Sequence, residues 1–290
     1  MTYRTAIGAA LAATLAMTLA GAPALAQSKS SEPKYPDLKG QWTRLAKVRV
    51  TGQPSFDQTK PWGSGQQAPL TPEYQAILDA NLKDQQNGGH GNFTGWTCLP
   101  YGMPMMMYAF WPVEFVVTPE TTYVLVDHQD AIRRIYTDGR AMPPNMEPSF
   151  AGYSIGRWID EKGDGSFNVL EVETRNFKGP RFFDESGIPM HADNQSVFKE
   201  RIYLDKADPN VLHDEITVTD HALTRPWTVM RDYSRVKDQH PVWLEFACAE
   251  NNPHVRIGGD NFYLSADGLL MPARKDQRPP DLRYFKKAGN

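Results

Sequence analysis

Cysteine is nearly absent from this chain: Cys98 and Cys248 are the only two in 290 residues. That excludes a disulfide-dense mini-scaffold, a Cys-x-x-Cys redox motif and any zinc ribbon. It also leaves no cysteine for lipid attachment near the N-terminus. Long apolar runs are equally scarce. Beyond the first residues no stretch reaches the roughly 18 residues that a membrane-spanning helix needs, so membrane insertion is not expected. No clustered cationic face stands out, since 31 Lys and Arg are set against 34 Asp and Glu. Nucleic acid is therefore not an expected partner. No glycine-rich nucleotide loop and no zinc-ligand spacing is present, which ranks NAD-dependent and zinc-hydrolase chemistry low.

What is there begins with MTYRTAIGAALAATLAMTLAGAPALAQ, one early cation followed by an alanine- and leucine-rich run that ends in Ala24-Leu25-Ala26. Small-x-small after such a run is the pattern cut on export, so residues 1–26 are expected to be a signal peptide and the location periplasmic or secreted. In an oxidising compartment Cys98 and Cys248 are expected to pair, closing a loop of about 150 residues. Two buried free thiols are the alternative.

Residues 27–37 read as a flexible leader, 38–250 as a β-domain and 251–290 as a loop-rich tail. Thr71 and Pro72 open the one expected helix, on which Tyr74, Ile77, Leu78 and Leu82 share a face. From Phe110 onward the period is two. Short apolar-alternating runs joined by tight turns predict about ten strands in an antiparallel meander, the tenth being 241–250. Phe198, Glu200 and Ile202 share a face, as do Leu170, Val172 and Thr174. Neither face is purely apolar in several strands, so some charged groups must point into the barrel or pair across strands.

Gly40-x-Trp42, at the start of the first strand, resembles the signature of lipocalin-like barrels. A wider set of motifs, C-L-P-Y-G-M-P, R-R-I-Y-T-D-G-R, G-Y-S-I-G-R-W, E-R-I, I-T-V-T-D…R-P-W-T and C-A-E-N-N, is spread from 98 to 252. Together these resemble a large group of secreted bacterial proteins with no settled function. The W-E-G-D-T-L turn of that group is replaced here by Trp158-Ile159-Asp160 and the longer EKGDGSF. The resemblance implies a mainly β fold, a single antiparallel meander barrel of lipocalin type with one short N-terminal helix. It transfers no catalytic residue.

Gly152-x-Ser154-x-Gly156 matches the nucleophile elbow of serine hydrolases, but the run that follows is strand-like where the elbow requires a helix. Asp160 and Asp164 faintly echo a calcium loop whose later glutamate is missing. Four methionines, Met103, Met105, Met106 and Met107, leave three readings open: core filler, pocket wall or soft-metal site. The pocket reading places Met105, Met107, Phe110 and Trp111 in the wall of one cavity inside the barrel, around a small apolar or aromatic molecule, with polar groups of 128–138 at its mouth or floor. The densest polar segment supplies His128 for proton transfer, with Arg134 and Tyr136 to hold developing negative charge and Asp138 beside them. His191-x-Asp193 and Asp220-His221 are second candidates; Arg201, Arg231 and Glu245 are candidates to pair inside the barrel. The expectation is an exported barrel that binds a small apolar or aromatic molecule, with acid–base chemistry that needs no organic cofactor and no metal, or a carrier without turnover. Nothing in the pattern specifies an oligomeric state.

Overall fold

The computed structural model describes residues 34–45, 68–92 (without 88 and 90), 98–108, 111–184 (without 180), 187–248 (without 239) and 254–278 (without 258, 259 and 266). The expected signal peptide and Phe110 lie outside the described residues, as does most of the leader. The described residues belong to one compact unit, Pro33–Asn290.

Period-two alternation builds nine strands into a closed barrel. In chain order they begin with β1 (Gln41–Arg44), followed after helix α1 (Pro72–Gln86) by β2 (Val113–Val117), β3 (Thr121–Val126) and β4 (Ala131–Tyr136). Next come β5 (Tyr153–Ile159), β6 (Val169–Arg175) and a small two-stranded ribbon of β7 (Arg181–Phe182) with β8 (Pro189–Met190). The wall resumes with β9 (Val197–Leu204), β10 (Val211–Thr219) and β11 (Trp227–Arg235). Around the barrel the order is β1-β11-β10-β9-β6-β5-β4-β3-β2, and β2 returns to β1.

The expected pure antiparallel meander is corrected at two points. β4 and β5 run parallel, Ile135 opposite Ser154, because residues 137–152 carry the chain back before β5 starts. Strand count is nine, not ten: 240–248 forms no strand. β11 already pairs with β1 through Trp42↔Arg235, and β1 spends its other edge on β2, so no edge is left for a tenth strand.

Trp42 plugs one part of the core. Gly40 takes φ +82°, a left-handed turn that suits glycine, and swings the chain into β1. Trp42 is then fully buried, its Nε1 donates to the Leu38 carbonyl at 3.0 Å, and the Arg235 guanidinium lies 4.3 Å over its ring. Midway along β5, Gly156 is required by a close approach: a Cβ there would come within 2.7 Å of Ile135.

Thr71 caps α1, accepting from the Tyr74 amide, and Pro72 fills its first turn. Of the expected helix face, Leu78 is buried and Ile77 is exposed. The tail is less loop-like than expected. β12 (His254–Ile257), β13 (Asp260–Leu264) and β14 (Leu270–Pro272) form an antiparallel sheet, the last two joined by a turn through Gly268 at φ +80°. At the other end, Tyr35 packs against Trp158 and Phe167 (5.4 and 5.3 Å), which pins the end of the leader to the barrel. Among the described residues no helix is long and apolar enough to cross a membrane.

Candidate functional site

The methionine run is core. Met103, Met105, Met106, Met107 and Tyr108 are all buried, with a 3-10 turn over Met105–Tyr108. β11 binds this segment by its backbone: Arg231 donates to the Pro104 carbonyl (2.5 Å) and Tyr233 to the Met107 carbonyl (2.5 Å). Met105 and Met107 therefore pack inward as filler, while Trp111 is 41% exposed. Cys98 and Cys248 do form the expected disulfide.

Inside the barrel, alternation brings charged groups together. Arg133 on β4 and Glu200 on β9 form an ion pair with side chains 1% and 0% exposed. The guanidinium makes two parallel bonds to the carboxylate, one of them 2.8 Å, and also donates to Thr174 Oγ1 (2.8 Å) and Ser154 Oγ (3.2 Å). Ser154 and Thr174 bond each other at 2.8 Å. Ser154 is thus a buried β5 member of a polar network, with strand and no helix after it, which removes the nucleophile-elbow reading. Asp214, opposite Arg231 across β10 and β11, is buried beside Tyr233. Burial, with the Glu200 charge adding to it, pushes the Asp214 carboxyl well above the carboxylate range, and burial also raises the Tyr233 phenol. In both, burial favours the uncharged, hydrogen-bonding form.

The four expected catalytic side chains do not converge. β4 presents Arg133 and Ile135 inward, so Arg134 lies exposed on the outer face with Tyr136 half-buried there. One residue of parity separates the two outcomes. At ~3.3 Å per residue the ends of β4 lie about 17 Å apart, with His128 before one end and Asp138 beyond the other. His128 sits on a 3-10 turn, stacked against Tyr101 (4.7 Å) and Trp111 (6.0 Å) and tilted against Phe246 (4.4 Å). Burial alone lowers its imidazole to about 4, and its Nδ1 has no partner among the described residues. A neutral ring in an aromatic cluster is not a proton shuttle at neutral pH. Of the other interior candidates, Arg231 does face inward, Arg201 faces outward, and Glu245 lies on no strand.

The depressed imidazole sets a pH dependence. Because the folded value lies below the unfolded 6.5, the unfolded chain binds this proton first. The resulting stability is present above pH 6.5 and is lost as pH falls towards about 4. His128→Phe should therefore gain on the wild type as pH drops through that window, read from urea midpoints at pH 7, 5.5 and 4.5. A constant offset between the two proteins would remove this account of His128.

Outside the barrel lies a groove of about 520 Å³, within the size range of small-molecule sites. Gly139 and Arg140 overhang it, Ile155 and Arg157 come from β5, Glu171 and Glu173 from β6, Lys199 and Arg201 from β9, and Glu215 and Thr217 from β10. Several of its charges are paired: Glu171 holds Arg157 (2.7 Å) and Arg201 (2.8 Å), and Glu173 holds the neighbouring Arg175 (2.6 Å). Arg140, which lines the groove, grips Asp138 (2.6 Å), lies 3.9 Å over the Tyr136 ring and reaches Tyr153 Oη at 3.4 Å, so these three border the groove through Arg140. The two tyrosine rings lie 5.0 Å apart. Arg140 holds the Asp138 carboxyl below the usual range, so it stays ionised.

Three segments singled out in the sequence, 133–140, 152–158 and 200–202, meet twice: as the buried Arg133–Ser154–Glu200 network and as walls of this groove. Sequence reading missed the inner meeting because the parity of β4 was open. The signal for it was Arg133 sharing a face with Ile135, and Glu200 with Phe198 and Ile202. Asp160 is explained as a turn anchor, its carboxylate accepting from the Gly163 and Gly165 amides (2.7 Å each), which leaves the calcium reading without support. Comparison with protein-family models and with curated proteins gives no match for this chain.

Proposed function

We propose that this is an exported barrel protein of lipocalin type that binds a small aromatic molecule carrying polar substituents, and that it binds at the outer groove. The observation that carries this reading is the groove itself, with the Tyr136–Tyr153–Arg140 stack at its rim and paired charges along its wall. An aromatic body suits the rings and the guanidinium face, and polar substituents suit arginines and carboxylates that exchange one partner for another. Binding is favoured over turnover because the neutral His128, the exposed Arg134 and the rim residues Tyr136 and Asp138 share no reacting centre. The disulfide accords with export.

A fluorescence-competition or NMR screen of aromatic acids and amines against the full chain tests this. Saturable binding is expected, weakened about tenfold, or ~1.4 kcal/mol, by Tyr153→Ala and lost when Thr217→Trp fills the groove. His128→Phe should leave it unchanged. Binding that survives Thr217→Trp, or no saturable ligand across the screen, would sink the proposal.

A further inference from the structure

His191, Asp193 and His221 come together on the surface beside α1. Each offers one ligand atom, and the three atoms lie within 4.8 Å of one another. His191 and Asp193 follow β8, and His221 follows β10, so the fold alone unites them. No sequence spacing announces the set, which is why no metal was expected from the sequence.

The loops are held by a buried frame. Asp220 accepts from the backbone amides of His191 (2.9 Å) and Ala222 (2.8 Å), which locks the two loops to one carboxylate. Ser196 donates to the other oxygen of Asp220, and Arg181, 3.8 Å from Asp220, also donates to Ser196 and to the His191 carbonyl. Arg181, Ser196 and Asp220 are all buried. Above them, Asp193 accepts from the Gln195 amide (3.1 Å) and contacts His221 Nδ1. The His191 and His221 rings meet edge to face at 5.6 Å, and the Tyr74 ring packs 5.6 Å from His191. A surface His–Asp hydrogen bond does not need such a frame; a ligand set does, because ligand direction is set by the groups behind it.

We propose that His191, Asp193 and His221 form a site for one divalent first-row transition-metal ion of the zinc class. Two imidazole nitrogens and one carboxylate oxygen are the borderline donors these ions take, at ~2.0–2.2 Å. Around such an ion the donor atoms lie roughly 3.4 Å apart, so the cluster closes by a small rotation of His221. That side chain is 66% exposed, and its partners in the cluster are Asp193 and the His191 ring. Three protein ligands leave at least one coordination position for water or a small anion.

The test is zinc titration of the chelator-treated full chain, by calorimetry and by metal analysis after dialysis, with cobalt absorption as a readout of coordination. One equivalent of zinc and a raised melting temperature are expected. His221→Ala and Asp193→Asn should each weaken binding at least ~10-fold, and the cobalt band should be lost in His191→Ala/His221→Ala. His221→Ala alters only an exposed side chain, so its fold is secure and circular dichroism should match the wild type. His240→Ala, an exposed histidine elsewhere, should bind as the wild type does. Wild-type zinc affinity in the double variant, or no saturable binding below about 100 µM, would overturn the proposal.

Discussion

Arg133→Met should cost about 3–5 kcal/mol of stability, read as a lowered urea midpoint with an unchanged slope. The variant leaves the Glu200 carboxylate at the centre of the barrel without its bidentate partner, and strands Ser154 and Thr174 with one donor fewer. It also leaves Asp214 under the influence of the Glu200 charge with Arg231 as the other cation acting on it. Glu200→Leu should be milder. Removing Glu200 takes away a negative charge that helps to raise the Asp214 carboxyl, which favours the ionised form of Asp214 as a counter-charge for Arg133. The double variant Arg133→Met/Glu200→Leu removes both charges and should lose less than Arg133→Met alone, since an apolar pair of similar volume often replaces a buried ion pair at little cost. A double variant as unstable as the sum of the two singles would show that the pair's shape, not its charge balance, matters most.

Replacing both cysteines with serine should cost about 4–5 kcal/mol on the chain-entropy account, because the bridge spans 150 residues. A local effect is expected with it. The bridge ties the segment after Cys98 to 240–248, which covers the His128 cluster through Phe246 and is anchored by Trp243 Nε1 to Asp130 (3.3 Å) and by Gln41 Nε2 to the Val242 carbonyl (3.1 Å). Loosening that cover should let the His128 imidazole rise from about 4 towards its ordinary 6.5. Urea unfolding with and without reductant measures the first effect, and NMR titration of the histidine ring measures the second. A stability loss under ~1 kcal/mol would mean that the unfolded chain is already compact between the two cysteines.

The barrel class was legible because β9 and β10 alternate strictly: Phe198, Glu200 and Ile202 on one strand, Leu212, Asp214, Ile216 and Val218 on the next, are all buried. Thr71-Pro72 announced the helix for an equally local reason. The parallel β4–β5 pair was not legible, since residues 137–152 carry no sign of which end of the barrel they return to. Nor was the inward face of β4. Arg133 and Arg134 are chemically identical neighbours, and only the packing of Ile135 decides which one enters the core. The 240–248 segment reads as a strand from Val242, Trp243 and Leu244, yet those side chains lie exposed because the barrel had no edge to give them. The His191–Asp193–His221 cluster was visible only as two separate pairs. Local periodicity reports faces and turns; meetings between distant loops are a property of closure.

Closure itself rests on four residues. β1 is the first strand among the described residues and joins β11 and β2, with Trp42 opposite Arg235 on one side and Val113 on the other. Until Gln41–Arg44 docks, β2 and β11 are open edges with unpaired amides and carbonyls. Docking brings together positions almost 200 residues apart, the kind of long-range pairing that slows folding. A refolding chain is therefore expected to carry two open edges until β1 docks, and both can pair with another chain in the meantime. Dilution, rather than added stability elsewhere in the wall, is what should rescue its yield.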